Sequence, residues 1–320
     1  MEYVKLGNSD LTVSRLCVGC MSFGDPASQM HAWTLNPEES EVIIGHALEL
    51  GINFFDTANT YSAGTSEQYL GQALKKLTSR DKVILATKVY FNEGHLSKEA
   101  IHREIEGSLR RLGTDYVDLY IIHRFDAFTP MEETMEALDG LVRAGKVRAL
   151  GASAMYGYQF HNLQLIARAN GWTPFVSMQN HYNLLYREDE RELIPICRQE
   201  NVSLTPYSPL AAGRLARPNW DADTLRSRTD KTAVSKYDGT RDADMRIAEA
   251  VRETAQAHGA SMSQIALAWL WAKGVASPII GATQSLYLTD AASALDIRLT
   301  AGEITALEAD YLPHKVVGAL

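Results

Sequence analysis

The sequence lacks the features that mark membrane and exported proteins. Its 320 residues contain no apolar run that approaches the roughly 20 residues needed to span a membrane. The first residues, MEYVKLGNSD, have neither the basic start nor the apolar block of a signal peptide. We therefore expect a cytoplasmic protein with no membrane partner.

Cysteine is scarce, and its pattern does not favour metal or redox chemistry. Cys17 and Cys20 have C-x-x-C spacing, but they lie in an apparent strand, where residues three apart point to opposite faces. No second pair accompanies them, and no helix follows as redox motifs require. Histidine shows no ligand spacing such as H-E-x-x-H. We predict no metal site.

An excess of basic residues is also missing. The formal net charge is −8, which argues against broad affinity for nucleic acid or anionic lipid. Hydrophobic residues make up 46% of the chain and charged residues 22%, values typical of a protein with an ample core. The length fits either two average domains or one large barrel.

The chain contains a repeating unit of strand and helix. Residues 3 to 16 read as a β-hairpin around the turn Gly7-Asn8-Ser9-Asp10. Eight apolar strand candidates follow, and the first six intervals between them are 27 to 37 residues, the size of one strand plus a crossover helix. The last interval is 75 residues and indicates an insertion. The strand candidates begin near Leu16, Asn53, Val83, Val117, Val147, Phe175, Val202 and Ser277.

Helix-start signals lie between these strands. Asn36-Pro37 predicts a cap with proline at the first helical position, and Ser97 predicts a second cap. Capping boxes are expected at Thr65 with Gln68 and at Thr129 with Glu132, and Thr300 is expected to open the last helix.

This alternation predicts a single (β/α)8 TIM barrel domain over residues 1–320, with an N-terminal β-hairpin and a C-terminal helix. A doubly wound sheet is the alternative. It usually has fewer strands, and no strand here leads into G-x-G-x-x-G. The barrel is favoured.

Polar residues end most of the predicted strands. In a parallel barrel these ends form the active-site face. Any one of them alone fits a structural role, and Asp56 by itself could simply cap a loop. Several ionisable groups at one barrel mouth instead indicate a catalytic site. The residues at or near the strand ends are Asp56, Lys88, His123, Ser153, Gln179, Asn180, Tyr207 and Ser208, with Tyr61 five positions beyond Asp56.

Four of these residues suit proton transfer to a carbonyl oxygen. An unperturbed tyrosine has a pKa near 10, too high for an efficient acid near neutrality. An ammonium about 4 Å away is worth roughly 4 kcal/mol at an effective dielectric of about 20, or about three pKa units. We therefore expect Lys88 to lower the pKa of Tyr61. Asp56 would keep Lys88 charged, and His123 would hold the carbonyl in line.

The segments DTANTYSAG, LATK and YIIHR resemble the catalytic tetrad of the aldo-keto reductases. The resemblance extends to MEETMEALDGLVRAGKVRALGAS, VSMQNHYNLL and PYSPLAAGRL, and the chain looks similar to bacterial members of the family. It implies reversible NADPH-dependent reduction of an aldehyde or ketone to an alcohol, without metal. Tyr61 would be the general acid, Lys88 and Asp56 its tuners, and His123 the orienting group.

The resemblance also implies a cofactor site. Ser153, Gln179 and Asn180 match residues that hold the nicotinamide carboxamide, and Tyr207 matches the aromatic on which the ring stacks, although a barrel-rim aromatic is its other reading. Asp56 would lie near the nicotinamide ribose. The loop over the pyrophosphate would include Ser208, Leu210, Gly213 and Arg214.

The adenine end would follow Ile280, where the sequence departs from the family. Relatives often carry lysine or arginine there to bind the 2′-phosphate, whereas this chain has Gln284, Ser285 and Tyr287. NADPH is still favoured over NADH, because hydroxyls and helix amides also bind phosphate. The expected contacts at this end are Gly281, Thr283, Tyr287 and Asp290, the last near an acid that meets the adenine.

The segment 214–242 is rich in both basic residues and aspartate, which favours a solvated mobile lid. The carbonyl substrate would meet loops after several strands, and loops vary freely on this scaffold. The sequence carries no signal of oligomeric state. The expected substrate-pocket residues, which would otherwise be loop core, are Met21, Phe23, Trp33 and Tyr90.

Two other functions are compatible with the sequence. One is a binding protein that senses the nicotinamide redox state with little turnover, as aldo-keto reductase-like channel subunits do. The other is a lyase that forms a Schiff base through Lys88. Asp56 argues against the lyase, because a lysine held in its charged form is a poor nucleophile.

Overall fold

The computed structural model describes residues 1–28, 33–218, 220, 236–237 and 240–317. The predicted β-hairpin is present: β1 (Tyr3–Lys5) pairs antiparallel with β2 (Thr12–Ser14). Gly7 turns the chain with a φ of +54°, and a Cβ at this position would lie 2.3 Å from the carbonyl oxygen of Val176. Only glycine therefore lets the hairpin turn sit against the barrel wall.

Eight parallel strands follow, at the positions predicted from the sequence. Each strand pairs with its sequence neighbour, and the last pairs with the first of the eight. Backbone hydrogen bonds from Ala276 N to Leu204 O (3.0 Å) and from Ile279 N to Pro206 O (2.9 Å) link the two remaining edges. The predicted (β/α)8 barrel is confirmed. The strands are β3 (Cys17–Gly19), β4 (Phe54–Asp56), β5 (Ile84–Val89), β6 (Val117–Ile122), β7 (Val147–Ser153), β8 (Phe175–Gln179), β9 (Ser203–Leu204) and β10 (Ile279–Gly281).

Alternate residues of these strands face two separate cores. Phe54 of β4 belongs to an interior cluster, in which Leu6 and Leu11 of the hairpin pack against side chains of the barrel strands. Phe55, the next residue, packs in the larger cluster between the strands and the helices. Both faces of a parallel barrel are covered, which explains why its strands read as continuous apolar runs.

The helices surround the barrel, and several begin at the predicted caps. Asn36 accepts a hydrogen bond from Glu39 N, Ser97 from Ala100 N, and Thr300 from Glu303 N. The helices are α1 (Pro37–Glu49), α2 (Thr65–Leu77), α3 (Lys98–Leu112), α4 (Met131–Arg143), α5 (Gly157–Asn170), α6 (Leu193–Gln199), α7 (Arg241–His258), α8 (Met262–Ala272), α9 (Ser285–Ser293) and α10 (Ala301–Glu308). Within the described part of the chain, none of the helices combines the length and the apolar character needed to cross a membrane.

Two predicted capping boxes are wrong. Thr65 is the first residue of α2 rather than its cap, and its hydroxyl donates to Ser62 O at 2.7 Å. Thr129 lies before Pro130, the cap of α4, and donates to Asp126 Oδ2 at 2.7 Å. In both cases another residue, Gly64 or Pro130, holds the cap position, and the threonine hydroxyl bonds a loop oxygen instead of accepting a helix amide.

Candidate active site

A buried lysine lies at the centre of the barrel mouth. Lys88, on β5, is inaccessible to solvent, and its Nζ donates to Asp56 Oδ2 at 2.6 Å and to the carbonyl oxygen of Thr57 at 2.7 Å. Its third contact is the hydroxyl of Tyr61, at 3.1 Å. The ammonium thus has three oxygen partners, which matches its three donors.

The charge of Lys88 is maintained by these partners. Burial alone lowers the pKa of a lysine, but the Asp56 carboxylate and the hydrogen bonds outweigh it here and raise the pKa of Lys88. Because Lys88 stays protonated, the site contains a fixed positive charge beside a phenol.

The pKa of Tyr61 differs from the expectation. Burial raises it above its ordinary value, and the neighbouring Lys88 lowers it by less than burial raises it. The predicted downward shift is therefore wrong. The expectation counted the charge of Lys88 and omitted the cost of forming a phenolate where the surrounding side chains remove much of its hydration.

The backbone that carries Tyr61 is strained. Ser62 and Ala63 have φ values of 46° and 53°, and Gly64 follows with 89°. Three consecutive left-handed residues cost free energy, and such conformations persist only where surrounding contacts enforce them. Thr65 Oγ1 enforces this one by donating to Ser62 O while it accepts from Asp25 N at 2.9 Å. The turn directs Tyr61 back towards Lys88.

His123 follows the end of β6 and lies beside Tyr61. The two rings meet edge to face, with centroids 5.8 Å apart. Burial lowers the pKa of His123 well below its ordinary value, and the charges of Lys88 and Arg124 lower it further. The imidazole is neutral at neutral pH. Its Nδ1 atom is buried and has no hydrogen-bond partner among the described residues.

The next three strand ends form a second wall of the mouth. Gln179 Nε2 donates to Asp56 Oδ1 at 3.0 Å, so this wall is joined to the Lys88 cluster. Ser153 Oγ donates to the carbonyl oxygen of Gln179 at 2.7 Å. The backbone carbonyl oxygen of Asn180 accepts the backbone N–H of Tyr207 at 3.0 Å. The Tyr207 ring stacks on His181, with ring centroids 5.2 Å apart.

Comparison with known proteins identifies the family. Residues 15–311 match the sequence model of the family described as "Aldo/keto reductase family". The chain belongs to the aldo/keto reductases. It is therefore an oxidoreductase, and enzymes of this family generally use NAD(P)H. The boundaries of a single domain at residues 1 and 320 stay a prediction.

Curated relatives agree with this assignment. A versiconal hemiacetal acetate reductase of Aspergillus parasiticus is 42% identical, over 99% of this chain and 98% of the relative. A putative aryl-alcohol dehydrogenase of Schizosaccharomyces pombe is 39% identical, with the same coverage of each. A putative aryl-alcohol dehydrogenase of Saccharomyces cerevisiae is 37% identical, over 98% of this chain and 98% of the relative. These three relatives are fungal, whereas the expected similarity was to bacterial members.

The residues predicted to cover the pyrophosphate form a tight turn after β9. Ser208 has a φ of 54°, and the turn continues through left-handed backbone at Ala211, Ala212 and Gly213. Leu210 accepts the backbone N–H of Gly213 at 2.8 Å. The guanidinium of Arg214 lies over the rings of Trp220 and Tyr237. Most of the predicted 214–242 lid lies outside the described residues.

The predicted adenine end lies at β10 and α9. Gly281 and Thr283 are exposed, and Tyr287 has about half of its surface exposed at 49%. Asp290 instead accepts from Ser261 Oγ at 2.8 Å and from Gln264 Nε2 at 3.0 Å, so it joins α9 to the start of α8. Structural hydrogen bonds already use its carboxylate.

An aromatic surface beside His123 was largely missed from the sequence. Phe91 is 48% exposed, and its ring meets His123 edge to face with centroids 5.0 Å apart. Tyr90 contacts Phe91 and stacks on His95, which in turn stacks near Phe128. We call Tyr90, Phe91, His95 and Phe128 the aromatic shelf. Only Tyr90 was expected in the pocket. Aromatic residues in loops follow no sequence periodicity that distinguishes residues of the barrel mouth from residues of the core.

The other expected pocket residues divide between surface and core. Met21 and Trp33 are partly exposed, whereas Phe23 is fully buried and belongs to the outer core. The pocket prediction is therefore wrong for Phe23. Cys17, Cys20 and Cys197 are buried free thiols, and burial raises the pKa of each. Among the described residues, no group of three or more potential ligands is arranged to hold a metal ion.

Proposed function

We propose that this aldo/keto reductase reduces an aldehyde or ketone to an alcohol with NADPH, and that Tyr61 donates the proton. The observation that carries the proposal is the contact of one buried ammonium, Lys88, with both Asp56 and Tyr61. This contact supports the proposal because it puts a phenol beside a fixed positive charge at the barrel mouth, where active sites of this fold lie.

Tyr61 acts as the acid in its neutral form. Because burial raises its pKa, the phenol holds its proton throughout the neutral range. A carbonyl oxygen becomes far more basic as it turns into an alkoxide, and an alcohol is a weaker acid than a phenol. The proton therefore passes from Tyr61 to the substrate oxygen. Lys88, 3.1 Å away, stabilises the phenolate that remains.

Asp56 and His123 support this transfer in different ways. Asp56 keeps Lys88 protonated and holds its Nζ in place. His123 is neutral, so a ring N–H can donate to the carbonyl oxygen without adding a charge that would compete with Lys88. The reduced nicotinamide, when bound, supplies hydride to the carbonyl carbon.

The second wall of the mouth fits a nicotinamide cofactor. Asn180 Oδ1 is buried and, across the described part of the chain, has no hydrogen-bond partner, which suits an acceptor for a carboxamide N–H. Ser153, Gln179 and Tyr207 would complete the carboxamide and ring contacts. The remaining proposed cofactor residues are Asp56, Ser208, Leu210, Gly213, Arg214, Gly281, Thr283, Tyr287 and Asp290.

NADPH is proposed rather than NADH despite the missing basic residues near Tyr287. α9 begins with Gln284 at its cap and Ser285 at the first helical position, and the amides of a helix N-terminus favour phosphate. Dissociation constants for NADPH and NADH, measured by quenching of intrinsic fluorescence, test this choice. Equal values for the two cofactors would overturn it.

An aryl carbonyl is the substrate class that the site favours. The aromatic shelf offers a flat, partly exposed face next to His123, and aromatic rings pair with about 0.5–1.5 kcal/mol beyond simple burial. Two relatives bear the name of aryl-alcohol dehydrogenases, which agrees with such a substrate.

The decisive experiment is NADPH oxidation with p-nitrobenzaldehyde in the wild type, Tyr61→Phe and Tyr158→Phe. Loss of a general acid costs about 10²- to 10⁴-fold in kcat. Tyr158, exposed on α5, is the matched control and should leave kcat unchanged. An unchanged kcat in Tyr61→Phe would remove Tyr61 from its proposed role.

The same assay discriminates the alternatives. Tight NADPH binding without turnover on any carbonyl would favour the regulatory nicotinamide-binding protein. A Schiff-base lyase is disfavoured by the raised pKa of Lys88, since its amine is held protonated. Borohydride trapping of a substrate on Lys88 would reverse that conclusion.

A further inference from the structure

A carboxyl group lies directly behind the proposed carboxamide wall. Asp189, in the loop before α6, accepts a hydrogen bond from Asn180 Nδ2 at 3.0 Å. Both residues line a small cleft at the ends of β7, β8 and β9, together with Met155, His181 and Tyr207. Sequence analysis gave Asp189 no role, because it lies in a run of charged residues typical of an exposed loop.

The Asp189 contact determines which way the Asn180 amide points. Since Asp189 accepts the Nδ2 proton, the other amide atom, Oδ1, is left as an acceptor. Asn180 is 99% buried, with 1% of its surface exposed, so the unpaired Oδ1 has no access to bulk water. The backbone of Asn180 also holds Tyr207, the proposed stacking ring.

We propose that Asp189 is a positioning residue for the cofactor, which in its ionised form orients Asn180 so that Oδ1 accepts an N–H of the nicotinamide carboxamide. A protonated Asp189 keeps one acceptor oxygen but gains an O–H, which finds its acceptor in Asn180 Oδ1 when the amide is reversed. The Asn180 amide would then turn over and present its NH2 group to the ligand. The identity of the ligand rests on the proposed function; the coupling between Asp189 and Asn180 does not.

The pKa of Asp189 is raised by its surroundings. Burial raises its pKa to about 7, against the lowering effect of the Asn180 hydrogen bond, and the charge of Glu188 raises it further. Four neighbouring side chains have pKa values shifted away from neutrality. Burial lowers the pKa of His181 well below its ordinary value, raises that of Tyr186 to about 12, and raises those of Tyr207 and Cys197.

Four other charged or titratable groups face this cluster. Hydrogen bonds from Tyr311 and His314 keep the pKa of Glu188 below its ordinary value despite its burial. Burial lowers the pKa of His314, but Asp244 outweighs it, so His314 is the second candidate for a neutral transition. Lys236 lies over the Tyr207 ring, and the charge of Arg124 also acts on Tyr207.

The test is the dissociation constant of NADP⁺ between pH 5.5 and 8.5, measured by fluorescence quenching. If NADP⁺ requires the ionised carboxylate, the wild type loses about tenfold in affinity between pH 8 and pH 6. Asp189→Asn still accepts from Asn180 but does not titrate, so it should lose far less. The 2′-phosphate of NADP⁺ titrates equally in both proteins, and the ratio of the two constants is therefore the readout.

Two further variants isolate the effect. His314→Gln should keep the wild-type pH profile, and Asp189→Glu should retain a pH-dependent constant. If Asp189→Asn does not fold, Asn180→Ala serves instead, since it removes the amide through which Asp189 acts. A constant ratio of wild type to Asp189→Asn, or a profile that His314→Gln flattens, would overturn the proposal. A pH-dependent ratio without carbonyl turnover would support it while refuting the reductase.

Discussion

The Nζ atom of Lys88 lies 2.6 Å from Asp56 Oδ2, and neither side chain is more than 3% exposed. A buried ion pair of this kind contributes little to stability by itself, because the desolvation of both charges offsets their attraction. Its value here is chemical, since it holds a positive charge beside Tyr61. The pair nevertheless makes the site sensitive to the loss of either partner.

Lys88→Met should therefore destabilise the protein by about 3–5 kcal/mol, because it leaves Asp56 buried without its cation. The double variant Lys88→Met with Asp56→Asn should recover part of that loss. Free energies of unfolding from urea titrations measure both effects. Lys76→Met, which breaks an exposed pair with Glu41, is the control and should cost no more than about 1 kcal/mol. Equal stability of wild type and Lys88→Met would contradict this account.

His123 should make the protein less stable in acid. The pKa of His123 is lower in the folded state than its ordinary value of 6.5. Below pH 6.5 the imidazole therefore binds a proton in the unfolded chain but stays neutral in the folded protein. Stability is then lost as the pH falls below about 6.5, by at most about 1.4 kcal/mol per pH unit. Urea unfolding of wild type and His123→Asn at pH 5, 6, 7 and 8 measures the difference. A difference that does not change with pH would contradict a neutral His123.

Phe91 should contribute to substrate choice. Phe91→Leu keeps an apolar side chain but removes the ring next to His123. We expect kcat/KM for p-nitrobenzaldehyde to fall about twofold to tenfold, the equivalent of one aromatic pair, while that for butanal stays the same. Equal losses with both aldehydes would assign Phe91 a structural role only.

Gly64 should be intolerant of any side chain. Its φ is +89°, and a Cβ there would lie 2.7 Å from Cδ of Arg111, which is paired with the buried Glu67 at 2.5 Å. Gly113→Ala is the matched control, because Gly113 is also left-handed but, apart from its own chain neighbours, no described residue has an atom within 4 Å of an added Cβ. Each variant should lose about 1 kcal/mol of stability because alanine is strained at a positive φ. Gly64→Ala should lose more because of the contact with Arg111. Thermal unfolding compares them, and equal losses would show that Arg111 moves aside freely.

The barrel and its polar strand ends could be predicted because both depend on local pattern. Runs of apolar residues about 30 positions apart fix the strands, and a parallel barrel brings their ends to one face. Lys88, Asp56 and Tyr61 therefore come together as their positions in the sequence suggested. Their catalytic roles stay predictions.

The wrong predictions concern side chains whose partners or environment depend on the folded structure. Thr65 and Thr129 had suitable spacing for capping, yet Gly64 and Pro130 hold the cap positions and the threonine hydroxyls bond nearby loop oxygens. The pKa of Tyr61 depends on how completely the folded site excludes water, which residue spacing does not encode. For the same reason the partner of Asn180 was missed, because the Asp189 loop folds back onto the wall only in three dimensions.

The β-hairpin at the other end of the barrel affects how reactants reach the site. Leu6, Leu11 and Val13 pack against the side chains inside the barrel, so the end of the barrel opposite Lys88 is closed by a continuous core. With that end filled, we expect reactants and products to reach Lys88 from the face where the strands end. Cofactor and substrate would then share one approach, so the order in which they bind and leave is expected to follow from the closed end as well as from affinity.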